Sequence, residues 1–240
     1  MIYERLLSSV DGGEVLDVGC GRGQFTEILA RSLKSFRSVT GIDVDAAALE
    51  EARRAFQGPA FRFLQVSGEK LPFGPGSFDM VVISKALHHI GDPGLTLREM
   101  KRVLRKGGYF MIIEMHRDQL SEAQKSHMIY HHLRSDLDSL LGLSHHHTFR
   151  RSDLLRLAGE LDLEDRVIAE FNPDPGDPRD PERKEEFSRK LDTWLPELEG
   201  LEEGKRKERK EIETRIQNLR ERIQRVGFSR APQLVILGKK

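Results

Sequence analysis

Short apolar runs recur along the chain with polar or turn-forming residues between them: Glu14 to Val18, Ser38 to Asp43, Phe61 to Val66, Met80 to Ser84 and Tyr109 to Glu114. Their length and their content of Val, Ile and Phe predict buried strands. Between them, Phe25 to Lys34, Ala46 to Phe56 and Leu95 to Leu104 repeat apolar positions at helical spacing, and residues 1–10 predict a short helix presenting Tyr3, Leu6 and Leu7. Strands alternating with helices imply right-handed crossovers and a parallel sheet, with ligands at the carboxyl ends of the strands.

Two further runs, Leu163 to Phe171 and Pro232 to Gly238, read as strands that bring the sheet to seven. The stretch between them is too long for a hairpin loop. It opens on a turn-rich linker, Asn172-Pro173-Asp174-Pro175-Gly176-Asp177-Pro178. Two amphipathic stripes follow, Phe187, Leu191, Trp194, Leu198, Leu201 and then Ile212, Ile216, Leu219, Ile223, Val226, with Gly200 and Gly204 between them. They predict an antiparallel helical hairpin inserted before the last strand. The expected division is a core over 1–171 that includes a histidine-rich helix at about 117–142, a hairpin insertion over 172–226, and the last strand of the core over 227–240.

Charge narrows the partners. Thirty-nine basic residues balance 39 acidic ones, so the global field that draws in a polyanion is missing and a nucleic-acid substrate is not expected. The run Lys205 to Lys210 reads as a solvated helix face, since Glu208, Glu211 and Glu213 interrupt or follow it. With 32% charged residues and a mean hydropathy of −0.51, no stretch approaches a membrane span, and no secretory signal is visible at Met1-Ile2-Tyr3-Glu4-Arg5. A cytoplasmic location is expected. The one cysteine, Cys20, permits no internal disulfide and no multi-cysteine zinc site.

Chemistry concentrates first at Val15-Leu16-Asp17-Val18-Gly19-Cys20-Gly21-Arg22-Gly23, where an apolar strand turns sharply into a helix, and at Asp43, which closes the next strand. Glycines let a ligand approach bare backbone, and a carboxylate about 20 residues later can accept from two ribose hydroxyls, so a nucleoside cofactor is expected. The spacing is G-x-G-x-G instead of the dinucleotide G-x-G-x-x-G. Asp17, two residues before the first glycine, repels a pyrophosphate and suits a cation such as the ammonium or sulfonium of S-adenosylmethionine.

On these residues the chain resembles the class I S-adenosylmethionine-dependent methyltransferases, in the type-11 group that includes quinone-biosynthesis C-methyltransferases. Four stretches over about 13–115 carry the resemblance: Val15 to Gly23, Val39 to Asp45, Phe63 to His89 with Leu71-Pro72-Phe73 and Ser77-Phe78-Asp79, and Arg102-Val103-Leu104-Arg105-Lys106-Gly107-Gly108. It implies a Rossmann-like α/β fold: a seven-stranded, mostly parallel sheet with helices on both faces and the helical insertion before the last strand. It also implies that Asp17 and the backbone of Gly19 and Gly21 hold the methionine part of the cofactor and that Asp43 binds the ribose. Ser67-Gly68-Glu69 stands where many relatives carry an acid for the adenine amino group, so adenine recognition would lean on these three and on Val44, with Ser84 at the end of the fourth strand also at the cofactor. A capping Ser67 and a solvated Glu69 are the alternative reading.

Methyl transfer needs alignment of nucleophile and methyl group, and a base only where the nucleophile arrives protonated. His88 and His89 follow the fourth strand, and of the two His89 is the candidate base. A second group of histidines lies over Met115 to Phe149. On a helix from Glu122 to Leu141, Ile129, Leu133, Leu137 and Leu140 form the buried stripe, while His127, His131 and Asp138 share another face. His131 is a second candidate base. His127 and His131 at i, i+4, with a third ligand such as His145, are candidate metal ligands, although no metal is required by the reaction. With few residues ahead of the first strand, this helix and the hairpin are the expected lid over the substrate.

The expected function is therefore methyl transfer from S-adenosylmethionine to a carbon or oxygen nucleophile of a small molecule, without nucleic acid or a membrane span. The absence of Asn-Pro-Pro-Tyr or Asp-Pro-Pro-Tyr after the fourth strand, where Ser84-Lys85-Ala86-Leu87 stands, argues in the same direction. The alternative is a non-catalytic cofactor-binding module that docks a partner, or forms a homodimer, through its hairpin if the stripe from Ile212 to Val226 is left uncovered.

Overall fold

The computed structural model describes residues 2–240. Its elements begin with α1 (Ile2–Leu7), β1 (Glu14–Val18), α2 (Gln24–Ser32), β2 (Ser38–Asp43), α3 (Ala46–Ala55), β3 (Phe61–Gln65) and β4 (Phe78–Ser84). A 3-10 turn at Leu87–His89 leads to α4 (Pro93–Val103), β5 (Leu104–Met115), α5 (Glu122–Leu140), α6 (Arg151–Gly159) and β6 (Glu164–Phe171). Then come α7 (Pro181–Asp192), α8 (Leu195–Glu199), α9 (Arg206–Val226) and β7 (Gln233–Lys239). The chain divides into two compact units, the first comprising Met1–Glu114, Arg151–Phe171 and Gln233–Lys240, the second Met115–Arg150 and Asn172–Pro232. No helix among the described residues is long and apolar enough to cross a membrane.

The first unit is built on a seven-stranded sheet in the order β3-β2-β1-β4-β5-β7-β6. The pairs β3–β2, β2–β1, β1–β4 and β4–β5 are parallel, and β6–β7 is antiparallel. Alternation along the strands separates two faces. Val15, Val39, Met80, Val82, Met111, Ile113, Val235 and Leu237 share one core with Leu7, Phe25 and Leu29 of α1 and α2. Strand order reverses between β1 and β4, and a doubly wound sheet opens a crevice at such a point, at the carboxyl ends of the strands.

Most elements stand where the apolar pattern places them, with two departures. β5 starts at Leu104, five residues before the predicted Tyr109, because Gly107 at φ +76° lets the register shift between Phe78 and Met80 of β4 be absorbed without ending the pairing. α6 is an addition. Its buried set, Leu154, Leu157 and Ala158, is too short a stripe to stand out in the sequence.

The second unit is helical. Leu133 and Leu137 of α5 join Phe187, Leu191, Trp194 and Leu198 and the α9 residues Ile212, Ile216, Leu219 and Ile223 in one core. Here the division differs from the expected one: the histidine-rich helix groups with the hairpin, because its own stripe closes the hairpin's apolar faces. Ile212, Ile216, Leu219 and Ile223 are at most 3% exposed, so the face that would have served a hairpin dimer is already covered. The first stripe is also interrupted, since Pro196 lacks the N–H that would continue α7 into α8. Leu219→Ala should destabilise the protein by about 2–5 kcal/mol in urea unfolding, the usual range for emptying a buried leucine site.

Candidate functional site

The β1–α2 turn depends on left-handed backbone at Gly19 (φ +68°), Gly21 (+51°) and Gly23 (+84°). The first two differ in their surroundings. A side chain on Gly19 would overlap the Ala86 methyl group, so this glycine also seats the turn against the chain leaving β4. At Gly21 no atom lies within 4 Å of where a Cβ would sit. Gly19→Ala should therefore abolish cofactor binding in a thermal-shift titration, whereas Gly21→Ala carries only the left-handed penalty of about 1–2 kcal/mol.

The hydrogen bonds of this turn decide what it can hold. The N–H groups of Gly19 and Cys20 donate to the Ile42 carbonyl at 2.8 and 3.0 Å, that of Gly21 to Asp43 Oδ2 at 2.8 Å, and that of Gly23 to the Cys20 carbonyl at 2.9 Å. A pyrophosphate needs such donors turned outward. With the donors engaged internally, the turn offers a ligand carbonyl oxygens and carboxylates, the groups that receive a cation.

Asp17 is the sharpest of these groups. It is 1% exposed; Oδ2 accepts from Thr26 Oγ1 at 2.6 Å, and Oδ1 has no hydrogen-bond partner among the described residues. Burial pushes its carboxyl up to about 7, the Thr26 bond opposes this, and the nearby Asp43 charge adds to it. A buried carboxylate oxygen without a partner is costly, and a positively charged ligand removes that cost.

Asp43, at the end of β2, accepts the Gly21 N–H with one oxygen and the Asp45 N–H, at 2.9 Å, with the other. It thus braces both the glycine turn and the start of α3, which Asp45 caps through Ala47 and Ala48. Each carboxylate oxygen retains a further lone pair for a ligand hydroxyl. Val44 beside it is 66% exposed, an apolar surface next to a polar clamp.

The segment after β3 is bound locally. Ser67 Oγ accepts the Glu69 N–H at 3.3 Å, and Glu69 Oε1 accepts the Asp92 N–H at 2.8 Å at the start of α4. The Glu69 carboxylate, expected in solvent in the alternative reading, holds a helix terminus. A Cβ on Gly68 would come within 3.1 Å of Val18 and Thr96, which brings this backbone close to the end of β1. Leu71 and Phe73 are fixed by Arg102, which donates to both carbonyls at 3.0 and 2.8 Å. Ser84, buried at the end of β4, has a hydroxyl without a partner among the described residues. Asp17 pairs with Val82 in register, so Asp17 and Ser84 point to the same side of the sheet.

Sequence reasoning missed Glu114. It is 0% exposed near the end of β5, and its Oε2 lies 2.9 Å from Nδ1 of His88, itself 2% exposed. The available signal was a single acid closing the apolar run Tyr109 to Met115. His89, the candidate base, is exposed, with its ring 4.2 Å from that of His88, and the Glu114 carboxylate orients His88.

The remaining histidine candidates lie in the second unit. His127 Nδ1 accepts the Ala231 N–H at 2.9 Å, which places the proton of its neutral ring on Nε2. That nitrogen is 3.0 Å from His131 Nε2, which must accept. His127 therefore has no lone pair on Nε2 to give a metal, and His131 directs its own lone pair at His127, so a base role for His131 would require breaking that bond. The two belong to no group of three ligand atoms among the described residues. His145 Nδ1 pairs with Asp138 Oδ2 at 2.6 Å. Burial raises the Asp138 carboxyl, but the bonds from His145 and Arg134 outweigh it and hold the group low. Burial pushes His132 down to about 4, with the His147 ring stacked on it contributing, so His132 is neutral at pH 7.

Comparison with known proteins agrees with this geometry. Residues 16–112 match the family model of a methyltransferase domain. The ubiquinone/menaquinone biosynthesis C-methyltransferase UbiE of Hahella chejuensis is 32% identical over 123 residues, 50% of this chain and 49% of that protein. The malonyl-[acyl-carrier protein] O-methyltransferase of Legionella pneumophila is 33% identical over 126 residues, 51% of this chain and 44% of that protein. The chain thus spans about half the length of the curated relatives it matches. Among solved structures, an S-adenosylmethionine-dependent methyltransferase from Mesorhizobium loti superposes with a TM-score of 0.59 at 19% identity, covering 100% of this chain and 96% of that one, a likeness of fold.

Proposed function

Residues 16–112 form a class I S-adenosylmethionine-dependent methyltransferase domain of the type-11 group, and on that premise we propose that the chain transfers a methyl group to a carbon or oxygen nucleophile of a small molecule. The observation that carries this reading is the unpartnered oxygen of buried Asp17 beside a turn in which the N–H groups of Gly19, Cys20, Gly21 and Gly23 are engaged within the chain. In this reading Asp17 and the carbonyls of Gly19 and Gly21 hold the ammonium of the methionine part, Asp43 accepts from the ribose hydroxyls, and Val44 packs against adenine. The Ser67 hydroxyl and the backbone of Gly68 and Glu69 border the base, and Ser84 offers its hydroxyl at the end of β4.

When bound, the cofactor supplies a methyl carbon already activated by positive sulfur. The protein's part is to fix its position, to exclude water, and to orient the acceptor for in-line attack. The carbon-or-oxygen scope is supported by the names of the matched relatives, one a C-methyltransferase and one an O-methyltransferase. A small-molecule acceptor is supported by balanced charge, and the cytoplasm is the compartment this reading assigns. The alternative, a non-catalytic docking or dimerising module, loses its main support because the hairpin stripe is covered within its own unit. Calorimetry tests the reading: S-adenosylhomocysteine should bind and NADH should not, and the reverse outcome would replace the cofactor assignment.

A further inference from the structure

We propose that two copies of this chain pair edge to edge through β6, antiparallel about a two-fold axis at Ile168, so that their sheets become one. The inference concerns assembly and stands apart from the methyl-transfer reading.

The edge comes first. β6 ends the strand order, with β7 on one side and no strand on the other among the described residues. From Arg166 to Ala169 no backbone group has a hydrogen-bond partner outside the β7 ladder among the described residues. Alternate residues of a strand turn their N–H and C=O groups to opposite sides, so half of these groups face outward as a template for another strand. Natural edges are blunted by lysine, proline or a bulge. β6 carries neither lysine nor proline. Its bulge, where Asp165 stands at φ +48° and the register with β7 slips between Glu164 and Val167, guards only the first end.

The middle of this edge is apolar. Val167 is 42% and Ile168 45% exposed, and as neighbours on a strand they lie on opposite faces of the sheet. Two exposed β-branched residues in succession on an unpaired backbone fit a covering strand.

Charge decides which strand. Arg166 and Glu170 stand two residues to either side of Ile168 and share its face. Alternation places Glu170 there. The Arg166 stem lies 3.2 Å from where a Cβ on Gly238 would sit, two residues along β7 from the Ile236 that pairs with Ile168. In an antiparallel pair about a two-fold axis one residue lies opposite its own copy, and with Ile168 in that place Arg166 of each copy faces Glu170 of the other. Isoleucine meets isoleucine, flanked by two pairs of opposite charge. A shift of the axis by one residue in either direction sets Ile168 against Arg166 or Glu170 instead, an apolar group against a charge. The pattern therefore selects a second copy in one register. Glu170 also accepts from Arg151 Nε at 3.3 Å, and a carboxylate has acceptor sites for more than one guanidinium. The glycine turn follows β1, four strands from β6 in the sheet, roughly 19 Å at the usual strand spacing, so pairing at β6 does not involve it.

Sedimentation velocity of the full chain from about 1 to 200 µM tests the proposal. A species of twice the 27.5 kDa chain mass should accumulate. Its dissociation constant should be on the order of 10 µM, since about five residues a side make a small interface. Ile168→Lys should remain a monomer over that range with the parent's melting temperature, because the side chain it replaces is exposed. Arg166→Glu sets like charges opposite each other and should weaken association about tenfold, and Arg166→Glu with Glu170→Lys should restore it. Mild oxidation should link Ile168→Cys between copies and leave Glu164→Cys unlinked, since only the residue on the axis meets its own copy; the native Cys20 is buried. A parent that sediments as a monomer throughout overturns the proposal, as does a dimer that Ile168→Lys leaves intact. No link in Ile168→Cys, or equal linking of the two cysteine variants, overturns the register. If Ile168→Lys does not fold, the cysteine variants decide.

Discussion

Asp17→Asn should abolish S-adenosylmethionine binding while leaving the ligand-free protein at least as stable as the parent at pH 8. The two effects share one cause. The folded carboxyl sits at about 7 against an ordinary value of 3.8, so ionising it in the folded protein is opposed by burial. With the folded value above the unfolded one, the native state is penalised progressively as pH rises from about 4, and the penalty is complete above about 7. It amounts to roughly 4 kcal/mol at one pKa unit per 1.36 kcal/mol. Asparagine carries no such charge and can still accept from Thr26.

The same carboxylate must be ionised to receive an ammonium group. Cofactor affinity should therefore fall about tenfold per pH unit below about 7, and calorimetry at pH 6 in two buffers of different ionisation enthalpy should register about one proton released per cofactor bound. Affinity independent of pH between 5.5 and 8, or parent-like binding by the Asn variant, would remove Asp17 from the cofactor site.

Asp43→Ala should weaken S-adenosylhomocysteine binding by at least two orders of magnitude. In the proposed pose two ribose hydroxyls donate to this carboxylate, and hydrogen bonds to a charged group contribute about 1.5–3 kcal/mol each. The substitution also leaves the Gly21 and Asp45 N–H groups without the acceptor they have now, so the melting temperature should fall as well. Asp43→Asn separates the two contributions, since its single carbonyl oxygen can brace one of the two N–H groups without charge. Calorimetry with either variant showing parent-like affinity would place the ribose elsewhere.

The strands β1 and β2, the glycine turn and the two acids flanking it were readable because each is a local pattern. A short apolar run and a glycine at a forced left-handed position announce themselves within a few residues. The same locality hides partners that are distant in the chain. The motif marks Ser67, Gly68 and Glu69 as candidates at adenine, and it does not show that the Glu69 carboxylate holds the N-terminus of α4, 23 residues away. His127 and His131 have the spacing of a metal pair, and the Ala231 N–H, 104 residues along the chain, fixes a tautomer that does not ligate through Nε2.

Periodicity and composition carried the identity and order of most of the elements and the carboxylates flanking the glycine turn, because burial of alternate residues and glycine backbone geometry are properties of a few neighbouring positions. Which carboxylate orients which histidine, which N–H groups remain for a ligand, and which face of α9 is covered depended on folding. These follow from strand register and helix packing between segments far apart in the chain, and a buried proton's position is set by the partner it meets there.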